Sequence, residues 1–231
     1  MIVCIIKQPV CVLATDSAQF RAYDYEDFKK STVIFDAQKF HVARDVIVVE
    51  GGNTQVFAAF LRRVAEPAVM AEGVEYMIKR GPTLLNRSAR AWETEIRFKW
   101  PKVSIDTIRE ARHTHSIIAG YSPRKKRILA GAVADNPALN NLAPENGFLV
   151  AGGLAQTRHL IETELKGLLF GPNRINSERE TLIATCMDMV RKAAEADNAA
   201  AGCRISGGPI RVMCISGKDK PEVVKEPIIE C

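Results

Sequence analysis

Segregated runs of strand and helix place this chain in the α+β class, as a four-layer αββα sandwich. Its order is strands, two helices, strands, two helices, strand, which argues for stacked layers over alternating βαβ units. The opening stretch is almost entirely apolar, as a strand covered on both faces must be. The helical stretches are amphipathic, so two sheets packed face to face, with a helix pair outside each, bury their apolar faces.

The first element is a hairpin. In MIVCIIKQPVCVLATDSAQF an apolar run turns at Gln8-Pro9, returns as a second apolar run and stops on Thr15-Asp16-Ser17. A turn centred on Gln8-Pro9 sets Asp16 opposite residue 1; with one more loop residue, Asp16 faces Ile2. STVIFDAQKFHVARDVIVVEGG then holds two or three short β-rich runs ending at Gly51-Gly52. An Asn-Thr cap opens NTQVFAAFLRRVAEPAVMAEGVEYMIKR. Here Val56, Phe57, Phe60, Leu61 and Val64 fall at helical spacing, and Pro67 bends or interrupts the helix. TLLNRSARAWETEIRFKW reads as another helix, closed by Pro101.

The period then changes. HTHSIIAGY, a turn at Ser122-Pro123 and KRILAGAV make a hairpin, and GFLVAGG makes a further strand. LAQTRHLIETELKGLL is an amphipathic helix, and SERETLIATCMDMVRKAAEADNAA is a second, with a cap signal at Ser177-Glu180. GPIRVMCIS is the last strand. Residues 1–217 are expected to form a single domain, with 218–231 a charged, Pro-containing peripheral tail.

Composition excludes several function classes. The net charge of +5 is mild, and the densest basic cluster, Arg124-Lys125-Lys126-Arg127, follows Ser-Pro and reads as an exposed turn, so no nucleic-acid partner is expected. No apolar run reaches the roughly 20 residues of a membrane span, and no charged segment precedes the apolar start. A cytoplasmic protein with no membrane partner is expected. The six cysteines, Cys4, Cys11, Cys186, Cys203, Cys214 and Cys231, form no C-x-x-C pair and no Cys/His cluster. No metal, no cofactor and no disulfide framework is expected, and a reducing compartment fits. Cys4, Cys11 and Cys214 read as core residues, and Cys231 as an exposed thiol of the tail. His41 and His159 are scattered. His113 and His115 share a strand face but lack a third ligand, and read as exposed edge histidines.

Several stretches together resemble the proteasome β-subunit and HslV-type peptidases, members of the N-terminal-nucleophile (Ntn) hydrolase superfamily. The opening hairpin ending in ATDS is similar to the first hairpin of that family. VVEGGNTQVFAAFLRR looks like its strand, glycine turn and first long helix. HSIIAGYSPRKKRILAGAV and GFLVAGGLAQTRHLIETEL resemble the hairpin and strand-glycine-helix passage of the second half. AAEADNAAAGCRISGGPIRVMCI resembles the helix end, Ser-Gly-Gly turn and last strand, and the likeness runs from about residue 1 to 216. It implies the same αββα sandwich, and a ring of like subunits.

The resemblance also implies a chemistry. In that family the mature chain begins with threonine, serine or cysteine. Its side chain attacks a carbonyl, with its own α-amino group or a nearby water as base. By that likeness Asp16 is the aspartate beside the chain start. Lys39 in FDAQKFHV is the active-site lysine, after a small deletion before Gly51. Gly51, with Gly52, is the oxyanion turn, and Ser206 in SGG is the serine beside the amine. The departures are specific. Cys203 stands where an aspartate precedes that serine, and Asp197 substitutes only if the loop carries an insertion. The second-half serine falls on Ala151, and the nucleophile position holds Met1, whose thioether is a poor acyl acceptor. Removing Met1 exposes Ile2, which has no nucleophile. A cut after Val3 exposes the Cys4 thiol, about 7–10 Å along the strand from Asp16.

Two functions follow. One is a proteasome-subunit-like protein that assembles into rings and lacks a conventional N-terminal nucleophile. The alternative is an active Ntn-type peptidase or amide hydrolase whose nucleophile, Cys4, is exposed by processing. An ATPase or other ring partner is left open by the sequence.

Overall fold

The computed structural model describes residues 1–22, 31–34, 37–172 and 174–224. Strands β1 (Ile2–Lys7) and β2 (Val10–Thr15) form the opening hairpin. Lys7 pairs with Val10 and Ile2 with Thr15. The tight turn at Gln8-Pro9 therefore places Asp16 opposite Met1, the first of the two expected registers.

Among the described residues, two five-stranded antiparallel sheets carry the fold. The first, in the order β10-β1-β2-β11-β12, adds β10 (Asn146–Ala151), β11 (Arg211–Ser216) and β12 (Glu222–Val223) to the hairpin. The second runs β5-β6-β7-β8-β9, from β5 (Phe40–Ala43) and β6 (Val46–Gly52) through β7 (Thr114–Ser122) and β8 (Arg127–Ala134) to β9 (Asn141–Leu142). A separate ribbon pairs β3 (Gln19–Ala22) with β4 (Ser31–Ile34).

Strand alternation sorts the core into three layers. In β1 the odd residues Val3 and Ile5 pack with Ile161 and Leu165 of α5 (Ala155–Phe170) and with Val190 of α6 (Arg179–Ala201). The even residues Ile2, Cys4 and Ile6 meet Ile47, Val49 and Ile117 of the other sheet. Beyond that sheet Val48 and Ile118 pack on α1 (Thr54–Val64) and α3 (Gly73–Lys99). This is the four-layer αββα sandwich expected from the segment order.

Details of the helices differ from expectation. Asn53 caps α1 by accepting from the Gln55 and Val56 amides. The helix then stops before Pro67, which opens the one-turn α2 (Pro67–Ala71). The next helix starts at Gly73, ahead of the expected Thr83, and runs through Pro82. Its buried stripe, Val74, Met77, Gly81, Leu85, Ala89, Trp92 and Ile96, continues in register across the proline. Packing outweighs the ~3 kcal/mol that an interior proline costs. A short helix not expected from sequence, α4 (Ile105–Ala111), follows; Ser104 caps it by accepting from the Thr107 amide. The cap residue of α6 is Glu178, with no side-chain cap bond, in place of Ser177.

Arg124, Lys125 and Lys126 are exposed in the β7–β8 turn. Of the cysteines, Cys4, Cys11, Cys186 and Cys214 are buried and Cys203 is exposed; Cys231 lies outside the described residues.

Candidate active site

The site is built around one carboxylate. Asp16 follows the last residue of β2, and only 2% of its surface is exposed. Its Oδ1 accepts from the Met1 amino group at 2.8 Å and from Lys39 Nζ at 3.0 Å. Its Oδ2 accepts from Ser206 Oγ at 2.6 Å and from the Gly207 amide at 3.1 Å. Burial pushes the Asp16 pKa up, but the Met1 ammonium and the Lys39 charge, with hydrogen bonds from the amine and Ser206, hold it well below the usual carboxylate range.

Each partner is held from a different element. Lys39 is 8% exposed, and its carbonyl accepts from the Glu50 amide at 2.7 Å, which ties the start of β5 to β6. Asn198 of α6 fixes the Ser206 loop: its Oδ1 accepts from the Ile205 and Ser206 amides, and its Nδ2 donates to the Ser206 carbonyl. Ser17 Oγ donates to the Pro209 carbonyl at 2.5 Å, closing the same loop over β2. Thr15 Oγ1 donates to the Met1 carbonyl at 3.0 Å.

The structure thus brings Met1, Asp16, Lys39 and Ser206 into direct hydrogen-bonded contact. Gly51 and Gly52 line the same pocket, a cavity of about 190 Å³. Two hydrogen bonds set the direction of their amides. Glu50 donates toward β5, to Lys39, and Asn53 donates toward β7, to the His113 carbonyl at 3.0 Å. Alternation along an antiparallel strand then directs the Gly51 N–H to β7 and the Gly52 N–H to the side where Lys39 lies. Gly52 sits at φ 85°, and a Cβ there would lie 2.1 Å from the His113 carbonyl oxygen, so the turn requires glycine.

Cys4 stands apart from this cluster. It pairs with Leu13 in the register, is fully buried between the sheets, and its Sγ is 3.6 Å from Cys11 Sγ. Met1 itself sends its side chain the other way, into the α5/α6 layer with Val3, Ile5 and Ile161. Its Cε occupies space that a Cβ on Gly153 would need, at 2.4 Å.

Two further residues take places in the site that the sequence did not assign them outright. His115 was expected to be an exposed edge histidine, but β7 is an interior strand and the residue lines the pocket beside Gly51. Its ring sits where only glycine leaves room: a Cβ on Gly51 would lie 2.1 Å, and one on Gly152 2.5 Å, from Nε2. Burial, then the Met1 ammonium, Lys39 and Arg158, push the His115 pKa down to about 3, against a smaller opposing pull from Asp16. The ring keeps some solvent contact, yet three neighbouring cations act in the same direction as desolvation. His113, by contrast, is mostly exposed, with Nδ1 3.5 Å from Asp135.

Asp197 is the second. It is 3% exposed on α6, accepts from the Leu154 amide at 3.1 Å and lines the pocket with Met1 and Ser206. It arrives from the helix itself, and Cys203, in the position where the sequence led us to look for an acid, is exposed. Ala151 pairs with Ile2 and packs between the sheets. The other histidines lie outside the pocket: His159 is exposed on α5, and His41 Nε2 is 3.4 Å from Glu50.

No family model and no curated protein sequence matches the chain. Among solved structures it is similar to Anbu (ancestral beta-subunit) from Yersinia bercovieri, with TM-score 0.62 and 13% identity over 98% of this chain and 88% of that one. The Anbu (Gly-1) mutant from Hyphomicrobium sp. strain MC1 gives TM-score 0.58 and 13% identity over 99% and 86%. Eukaryotic HslV from Trypanosoma brucei gives TM-score 0.48 at 14% identity, over 93% and 98%. At these identities the likeness is one of fold, and the chain has the four-layer architecture of a proteasome-type β-subunit.

Proposed function

We propose that this protein is a non-catalytic, ring-forming member of the proteasome-subunit-like fold, in which the machinery around the nucleophile is retained and the nucleophile is not. The observation that carries this reading is Met1. Its amine takes the place beside Asp16 that an Ntn hydrolase gives to its base, but its thioether is packed into the α5/α6 core and offers no hydroxyl or thiol. The remaining parts, Lys39, Ser206 and the Gly51-Gly52 turn, then serve to hold the chain start and the two sheets together.

Intact-mass analysis after exposure to an acylating peptide-like inhibitor tests the proposal. An unmodified chain beginning at Met1 or Ile2 supports it; an adduct on the first residue, or a mature start at Cys4, overturns it in favour of an active amide hydrolase. Native mass measurement tests the ring, which a stable monomer would rule out.

A further inference from the structure

A second, larger cavity of about 960 Å³ opens beside the site and shares Gly52, His115 and Gly153 with it. One wall is formed by residues 147–153, seven in succession. Side chains of a strand alternate between its faces, so an unbroken run lines a single cavity only when the strand presents its edge. That edge is unpaired: β10 is the end strand of its sheet and, among the described residues, pairs only with β1. The facing wall is different. There the Ala134 amide is capped by Asn140 Oδ1 at 2.7 Å and the Asp135 amide by the Thr114 carbonyl.

The cavity's other wall is α5, which contributes Arg158, Glu162, Lys166 and Phe170. These residues recur every fourth position and therefore share one slowly winding face. Among the described residues none of Arg158, Glu162 and Lys166 has an ion-pair partner within 4.0 Å. The face presents plus, minus, plus at steps of ~6 Å along the helix. Alternate residues of an extended strand recur at ~6.6 Å.

We propose that β10 is a docking edge for an extended polypeptide segment of the pattern acid-x-base-x-acid. The segment adds to the sheet beside β10, its backbone pairing with the free edge. Its three charged side chains meet Lys166, Glu162 and Arg158 on one face, and its intervening apolar side chains meet Ala132, Ala134 and Leu139 on the other. The inference is independent of whether the neighbouring site is catalytic.

The test is fluorescence anisotropy with a labelled nine-residue peptide, Val and Thr except for Glu, Lys and Glu at its third, fifth and seventh positions. Binding with a dissociation constant on the order of 10–100 μM is expected. A peptide with Lys, Glu and Lys at those positions should bind about tenfold more weakly. The triple variant Arg158→Glu, Glu162→Lys, Lys166→Glu should reverse that preference, and its circular dichroism and melting show that it folds. Methylating the peptide's alternate backbone amides on the pairing side should abolish binding. No binding up to about 1 mM, equal binding of both charge patterns, unchanged binding of the methylated peptide, or equal competition by glutarate would each overturn the proposal.

Discussion

The amino nitrogen of Met1 and Oδ1 of Asp16 lie 2.8 Å apart, both groups all but removed from solvent. Asp16 also accepts from Lys39, Ser206 and Gly207, so one carboxylate holds the chain start, β5 and the loop before β11. A buried charge with partners on three sides ties those segments together.

Asp16→Asn should therefore cost about 3–5 kcal/mol at neutral pH, because it leaves the Met1 ammonium and Lys39 buried without a counter-charge. The Asp16 pKa is depressed in the folded state, so its contribution is complete above the unfolded value of ~3.9 and is lost as pH falls below it. Urea unfolding should show a large gap between wild type and variant at pH 7 that narrows below about pH 4.

Restoring a hydroxyl should restore chemistry. A chain released from a fusion so that it begins with Met1→Thr is expected to take up one equivalent of an acylating peptide-like inhibitor on residue 1, read by intact mass. The same adduct should fail to form when Lys39→Ala is added, since the lysine sits 3.0 Å from the carboxylate beside the amine. Wild type should remain unmodified.

Gly51 and His115 occupy each other's space. Gly51→Ala places a methyl group 2.1 Å from the His115 ring and should destabilise by about 1–3 kcal/mol. Adding His115→Ala removes the collision. Chemical denaturation of the double-mutant cycle should show a favourable coupling term, and strict additivity would mean that the ring does not sit against Gly51.

His115 should stay neutral where exposed histidines titrate. With a folded pKa of about 3 and an unfolded value of ~6.5, the unfolded chain binds the extra proton between those limits. The stability associated with His115 is thus present above pH ~6.5 and declines as pH falls toward 3. Imidazole proton NMR should show the His115 resonance unchanged down to about pH 5, and His115→Gln should flatten the stability profile across that range.

The sheets and the Met1–Asp16 pairing were legible because they rest on local signals. An apolar run, a two-residue turn and a second apolar run leave few registers, and one of them puts Asp16 opposite residue 1. Lys39, Gly51 and Ser206 were pointed to only by the family resemblance, and the structure sets them around Asp16 and its pocket. His115 was not legible, because alternation says which strand face a residue takes but not whether that strand is interior or an edge. Asp197 was legible only as a substitute conditional on a loop insertion, because it reaches the pocket by a turn of α6 over the sheet, 43 residues from the Leu154 amide that it accepts from. The continuity of α3 through Pro82 had the same cause: the stripe that overrides the proline is decided by the strands beneath it.

Local alternation, turn chemistry and amphipathic spacing, all properties of neighbouring residues, were enough to set the layers of this protein and to narrow its first hairpin to two registers. Packing between distant segments set the rest: a histidine wedged between two glycines, an acid lent by a helix and, among the described residues, a strand edge without a second neighbour opposite three charges without an ion-pair partner. Such contacts depend on how sheets and helices stack in space, and the period of a single segment carries no record of that.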